Sequence, residues 1–316
     1  MKRRPFLLAM PAVLAARQAQ AMPARIGVMV EDRGGSSRIL HRLPAMLAAA
    51  GIIPGQEAEF DILTVAEGRF TAAAAELARR RPQLVITAGS PASVAMHQAA
   101  PQIPLVVIGS DPVSLGMARS LAQPGGMVTG FSIFGLELDS KRLDLLAEMV
   151  PGSSALGALV LRGAPLGMMQ ADAFTTGAAR LRRRLDLREA LPETVATAIA
   201  DIAAAGAAGV VVAASPRFSA IAAELAALAL THRLPMACQW REMAQAGCLF
   251  SYGPSILAIW QRAIEMAAMI LRGTPPGRIP LEQPTRFELV INLATARALG
   301  LTIPDLMLAR ADELLE

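Results

Sequence analysis

Cysteine is scarce: Cys238 and Cys248 are the two in 316 residues. That number excludes the dense disulfide framework on which small secreted domains depend. The two could pair across neighbouring strands or remain separate buried thiols. Neither has a Cys or His at metal-ligand spacing, and His41, His97 and His232 are scattered, so no metal site is expected. Aromatic residues make up 4% of the chain, with Tyr252 its single tyrosine. An extensive stacking cage is thereby excluded, although one or two rings beside a ligand are not. The chain also lacks G-x-S-x-G, a Walker loop, G-x-G-x-x-G after a strand, and His-Glu-x-x-His. Nothing in it marks an enzyme, and no cofactor is expected.

A basic surface is missing too, despite a pI of 9.8. The N-terminus runs Lys2-Arg3-Arg4, then a mostly apolar stretch from Pro5 to Ala16, then Ala19-Gln20-Ala21. This is the charged, apolar, small-x-small order of a cleaved export signal, with cleavage expected after Ala21. The alternative, an uncleaved anchor, has to contend with an apolar run shorter than the ~20 residues a span needs. Cleavage removes Lys2, Arg3, Arg4 and Arg17, so 30 basic residues less four leave 26, against 26 acidic ones. A formally neutral mature chain has no surplus charge for a phosphate backbone, so nucleic acid is excluded as a partner. No later stretch is long and apolar enough to span a bilayer. The expected location is the periplasm.

What is abundant is short apolar runs alternating with longer, Ala-rich helical stretches, the pattern of an α/β chain built on parallel sheets. Strands are expected at Ile26 to Val30, Phe60 to Val65, Leu84 to Ala88, Leu105 to Ile108, Leu156 to Leu161, Val210 to Ala214, Met236 to Gln239 and Cys248 to Tyr252. Helices are expected near Ser37 to Ala50, Phe70 to Arg80, Ala92 to Ala99, Leu138 to Met149, Ala171 to Arg184, Thr194 to Ala205, Phe218 to His232 and Ser255 to Arg272. Phe287 to Ile291 reads as a further strand, and Asp312 to Glu316 as a helical, acidic end.

The second half retraces the first. Leu84 to Ile86 leads into "TAGSPAS" (Thr87 to Ser93), and Val210 to Val212 into "AASPRFS" (Ala213 to Ser219). In each case a strand meets a Ser-Pro step and then a helix, which implies two similarly built lobes with a cleft between them. The expected division is 1–21 signal, 22–130 first lobe with a return segment 253–275, and 131–252 second lobe, with 276–316 placed beside the second lobe but open to either. Gly126, Val128, Thr129, Gly130 and Gly253 are the hinge candidates, because Pro and Gly resist both helix and regular interior strand there.

Ligands in open α/β sheets bind beyond the carboxyl ends of strands, where both Ser-Pro steps lie. Serine is a favoured N-cap, and proline fits a first helical turn whose N–H groups are unbonded. Those N–H groups and the helix dipole suit an anion such as a carboxylate. Gly89, Ser90, Pro91, Ser215 and Pro216 are therefore ligand-binding candidates, although each serine could serve only as a cap worth about 1 kcal/mol. Asp111 and Pro112 follow another strand, where Asp111 could accept from an ammonium or simply close an Asx-type turn. Trp240 and Tyr252, at strand ends, complete the ligand set; Arg241, Glu31, Asp32, Phe131 and Phe134 rank lower, as rim or loop residues.

Two long stretches resemble a known family: "DPVSLGMARSLAQPGGMVTGFS" (Asp111 to Ser132) and "EQPTRFELVINLATARALGLTIPDLMLARADELLE" (Glu282 to Glu316). They closely resemble the ABC-transporter substrate-binding proteins, some of which bind tryptophan and related amino acids. The resemblance implies a two-lobed periplasmic-binding-protein type I fold with three interlobe crossovers. It further implies an exported, monomeric receptor that closes on a small-molecule solute and presents it to an ABC permease with its ATPase subunits. By position it carries the family's binding turns onto Gly89-Ser90-Pro91, Asp111-Pro112 and Ser215-Pro216, and its second crossing onto Tyr252-Gly253. Met127 stands where the family commonly has Asn, and Arg217 where an acidic residue is frequent near the second turn, which leaves the charge of the ligand open. The function expected is thus binding of a carboxylate-bearing solute, such as an amino acid, for import. A sensory receptor reporting to a membrane signalling partner is the alternative.

Overall fold

The computed structural model describes residues 22–31, 39–66, 68–109, 111–133, 136–150, 152 and 155–316. The expected signal at 1–21 lies outside them, as do Asp32, Ser37, Ser110 and Phe134. Five apolar strands and one late arrival make the first sheet: β1 (Ala24–Glu31), β2 (Ala58–Val65), β3 (Leu84–Ala88), β4 (Leu105–Ile108), β5 (Val128–Phe131) and β11 (Leu281–Glu282). Their order is β11-β5-β4-β3-β1-β2, with every pairing parallel. The second sheet holds β6 (Ala155–Leu161), β7 (Leu185–Ala190), β8 (Ala207–Val212), β9 (Met236–Cys238), β10 (Phe250–Pro254), β12 (Phe287–Asn292) and β13 (Glu313–Leu315) in the order β13-β12-β10-β9-β8-β6-β7.

The helices are α1 (Leu43–Ala49), α2 (Phe70–Arg79), α3 (Ser90–Ala99), α4 (Leu136–Met149), α5 (Pro165–Arg180), α6 (Val195–Ala204), α7 (Pro216–Ala220), α8 (Ala222–Thr231), α9 (Arg241–Gln245), α10 (Ile256–Leu271), α11 (Leu293–Leu299) and α12 (Asp305–Arg310). Period-2 patterning sends alternate strand side chains to opposite faces, and both faces of each sheet are covered. Ile26, Val28 and Val30 join α10 through Trp260 and Ile264 on one side of the first sheet, while Met29 joins Leu77 of α2 on the other. In the second sheet Leu156, Ala158 and Val160 meet Leu143 and Leu146 of α4. Leu159 instead points to Ile199 and Ile202 of α6. Each large apolar side chain so buried contributes about 1.5–3 kcal/mol.

The chain passes between lobes three times: from β5 to α4, from β10 to α10, and from β11 to β12. The third passage bears on the segment 276–316, whose lobe the sequence leaves open: Leu281 and Glu282 pair with Gly130 and Phe131 of the first sheet. Thr129 Oγ1 helps by donating to the Ile279 carbonyl at 2.9 Å. On α10, Arg262 donates to Glu282 at 2.8 Å and pins the same passage; that hydrogen bond above all drives its pKa upward. Because the chain leaves the second sheet along β10 and re-enters from the same end, β12 runs antiparallel to β10, so the second sheet is mixed.

The C-terminus corrects one expectation. Asp312 to Glu316, expected to be helical, holds strand β13, paired parallel to β12; the helix is α12 just before it. The Asp312 amide donates to the Leu289 carbonyl at 2.9 Å, and the Leu289 amide to Asp312 Oδ2 at 2.8 Å, and this exchange directs the chain into the sheet. Cys238 and Cys248, both fully buried, form a disulfide with their Cα atoms 6.6 Å apart, which resolves the two readings left open by the sequence.

Candidate functional site

A cavity of about 1350 Å³ lies between the lobes. Gly89, Ser90 and Pro91 line it from the first lobe, and Ser215, Pro216 and Trp240 from the second. The two strand-to-helix steps of the sequence thus open onto one space. Asp111, Pro112 and Tyr252 do not line it. Asp111 closes an Asx-type turn instead, accepting from the Val113 amide at 3.2 Å and from the Ser114 hydroxyl. Tyr252 stacks obliquely near Phe287, with ring centroids 6.0 Å apart, and its carbonyl is used from below by Arg142.

The two turns differ in construction. In the first lobe Gly89 takes the N-cap at φ 96°, where an L side chain would be strained, and Ser90 and Pro91 are the first two helical residues of α3. Ser90 therefore does not cap its helix, contrary to the sequence expectation. Its hydroxyl makes no hydrogen bond among the described residues; in the first turn of α3 the Ser93 amide donates to the Gly89 carbonyl and Pro91 has no N–H, which leaves the Ser90 and Ala92 amides open. The turn is braced from behind: the Ser93 hydroxyl donates to the Gly89 carbonyl at 3.0 Å and lies 2.9 Å from the Thr87 hydroxyl. In the second lobe Ser215 is the N-cap, its Oγ accepting from the Arg217 amide at 3.2 Å.

Beneath Ser215 sits a polar cluster that the sequence did not disclose. Asp139 and Arg142 on α4 are an ion pair, almost entirely buried. Gln170 Nε2 donates to Asp139 Oδ2 at 2.9 Å and to the Ala214 carbonyl at 3.1 Å, and the Ala214 amide donates to Asp139 Oδ1 at 3.3 Å. Arg142 Nη1 donates to the Tyr252 carbonyl at 2.9 Å. The cluster fixes both sides of the peptide leading into Ser215 and ties it to the second crossing. Asp139 and Arg142 cancel, so the cavity floor carries no net charge.

Much of the remaining wall is apolar: Leu40, Phe70, Val94 and Ile133 in the first lobe, Leu161 and Met243 in the second. Glu31 and Glu242 add acidic groups to the lining, and Arg217 a basic one whose guanidinium is 3.9 Å from Glu193. Among the described residues no three His, Cys, Asp or Glu side chains gather as a metal site would require, and no helix is long and apolar enough to cross a membrane.

The hinge candidates do not line the cavity. Val128, Thr129 and Gly130 are buried in β5, inside the first sheet, so the first passage begins only after Phe131. Gly126 precedes β5 in a turn at φ 62°. Gly253 is inside β10, where a Cβ would come within 2.2 Å of the Gln239 carbonyl oxygen.

The profile of the ABC transporter substrate-binding proteins matches residues 34–315. The chain belongs to this family. A tyrosine-binding protein of Clostridioides difficile (strain R20291) is 23% identical over 229 residues, covering 70% of this chain and 64% of that protein. The match thus spans just under two thirds of the relative's length. A conserved domain protein of Vibrio cholerae O1 biovar El Tor superposes with a TM-score of 0.80 at 24% identity, over 92% of this chain and 99% of the other. An ABC domain from Streptococcus pneumoniae in complex with L-Trp gives 0.82 at 19% identity, over 93% and 100%. These likenesses show a two-lobed periplasmic-binding-protein type I fold, and the family is one of solute-binding proteins.

Proposed function

We propose that this substrate-binding protein is the receptor of an importer and takes an L-α-amino acid with an apolar or aromatic side chain into the interlobe cavity. One observation carries the reading: the open turn at Gly89 and Ser90 and the capped turn at Ser215 line the same space. First-turn amides of α3 and the free Ser90 hydroxyl suit the carboxylate. Glu31 and Glu242 suit the ammonium, and the Phe70, Val94, Leu161 and Trp240 walls suit the side chain. A solute touching both lobes favours the closed form, and that form is what a permease with its ATPase subunits would recognise. The relatives that bind tyrosine and L-Trp support the choice of solute class.

The same reading makes the protein exported, periplasmic and monomeric. It places the first lobe at 22–131 with 255–282, and the second at 136–254 with 287–316. The test is a thermal-shift screen of the mature protein against the twenty L-amino acids, small carboxylates and sugars. An aromatic or large apolar amino acid at 100 times its dissociation constant should add about 2.7 kcal/mol. A response to neutral sugars alone would overturn the reading.

A further inference from the structure

Of the second-lobe polar side chains on the cavity wall, most are already engaged. Ser215 caps α7, Gln170 bridges Asp139 and Ala214, and Arg142 pairs with Asp139. Gln239 is different. It follows β9 at the carboxyl end of the sheet, lines the cavity, and is 9% exposed. Its amide makes no hydrogen bond among the described residues, yet its nitrogen and oxygen are not among the polar atoms sealed from water without a partner, as Arg142 Nε is. They therefore reach water, on a residue that lines the cavity. In the ligand-free protein water meets that amide, and a solute that displaces the water must supply a partner in its place or leave the amide unpaired.

We propose that Gln239 is a specificity-determining residue: its amide joins Glu242 as a second-lobe hydrogen-bonding group for the ammonium–carboxylate head of the solute, complementing the Gly89–Ser90 turn of the first lobe. Oε1 accepts from the ammonium and Nε2 donates to the carboxylate. A neutral group with both functions suits a floor on which Asp139 and Arg142 already cancel. Gly253 preserves the position, since a Cβ there would meet the Gln239 backbone oxygen at 2.2 Å and its Cγ at 3.5 Å. The proposal rests on the reading that the cavity takes an amino acid.

The test compares wild type, Gln239→Met and Gln239→Glu by calorimetric titration with L-tryptophan, L-tyrosine and tryptamine, alongside ligand-free melting curves. Met keeps length and volume without polarity. It should weaken the amino acids by roughly tenfold, the scale of one well-made hydrogen bond in a desolvated site, and leave the ligand-free melting temperature unchanged or raised. Glu should repel the carboxylate, weakening both amino acids while retaining tryptamine at wild-type strength or better. Variants matching wild type to within about twofold for the amino acids overturn the proposal alone. So does a fall in the ligand-free melting temperature of Gln239→Met, which would mark Gln239 as a structural residue. If wild type binds neither probe nor any other L-amino acid, the proposed function falls first and takes this inference with it.

Discussion

Arg142 and Asp139 meet one helical turn apart on α4, both withdrawn from water, with Asp139 also holding the Ala214 amide at 3.3 Å. A buried ion pair of this kind adds little net stability over an apolar pair of similar size. Breaking it is another matter, because the survivor is a buried charge without a counter-charge. Asp139→Asn should cost about 3–5 kcal/mol, read as a lower urea midpoint at constant slope. The double variant Asp139→Leu with Arg142→Met should be less destabilised than the sum of its single changes. Additive losses would mean that the two side chains do not act as a pair.

At the edge of the second sheet, Arg241 Nε donates to Glu313 Oε2 at 2.6 Å and ties the start of α9 to β13. This hydrogen bond holds the Glu313 carboxyl below its usual value of 4.5. A carboxyl whose folded pKa is depressed adds stability above its unfolded pKa, and the gain is lost as pH falls through the folded value. Both side chains are more than a third exposed, so water screens the pair and the gain stays below about 1 kcal/mol. Glu313→Gln should therefore lower the melting temperature slightly at neutral pH and converge with wild type as pH falls below about 4.5. Melting curves that stay parallel through that window would remove the pair from the acid response.

The strands most legible in the sequence are those buried on both faces. β3 and β4 fall where the apolar runs Leu84 to Ala88 and Leu105 to Ile108 place them, because Gly and Pro stop the pattern at each end. β7 was not legible: Leu185–Ala190 carries Asp186, Arg188 and Glu189, which an edge strand tolerates and a pattern search does not. β13 escaped for the same reason. The Ser-Pro steps were readable because strand, turn and helix are adjacent in sequence. Asp139, Gln170 and Ala214 were not, since their contacts join residues 31 and 75 positions apart. Gln239 carries no local signal beyond its place after a strand.

Gly130, a hinge candidate in the sequence, packs tightly against β4 in the fold. At φ 132° a Cβ on it would lie 2.1 Å from the Val107 carbonyl oxygen and 2.5 Å from the Val107 nitrogen, both backbone atoms of the neighbouring strand. Neither can yield without parting β4 from β5. Gly130→Ala should therefore cost more than about 2 kcal/mol, combining backbone strain with steric overlap. Gly126→Ala, with nothing within 4 Å of the new Cβ, should suffer only the strain of its φ. Equal urea midpoints for the two variants would contradict the close approach of the strands.

The disulfide between Cys238 and Cys248 closes a short loop that contains all of α9 and leads from β9 into β10. For a loop this short, cross-linking the unfolded chain contributes about 3 kcal/mol in the chain-entropy account. Both residues are fully buried, so a reductant reaches the sulfurs only when this part of the second lobe opens. Protein purified under oxidising conditions should show no free thiol when denatured without reductant. Prolonged incubation with dithiothreitol should lower its melting temperature by roughly 5 °C or more. The variant Cys238→Ala with Cys248→Ala should melt near the reduced wild type and ignore the reductant, which separates loss of the cross-link from loss of the sulfur atoms. Two titratable thiols in the denatured, unreduced protein would sink the assignment of the bond.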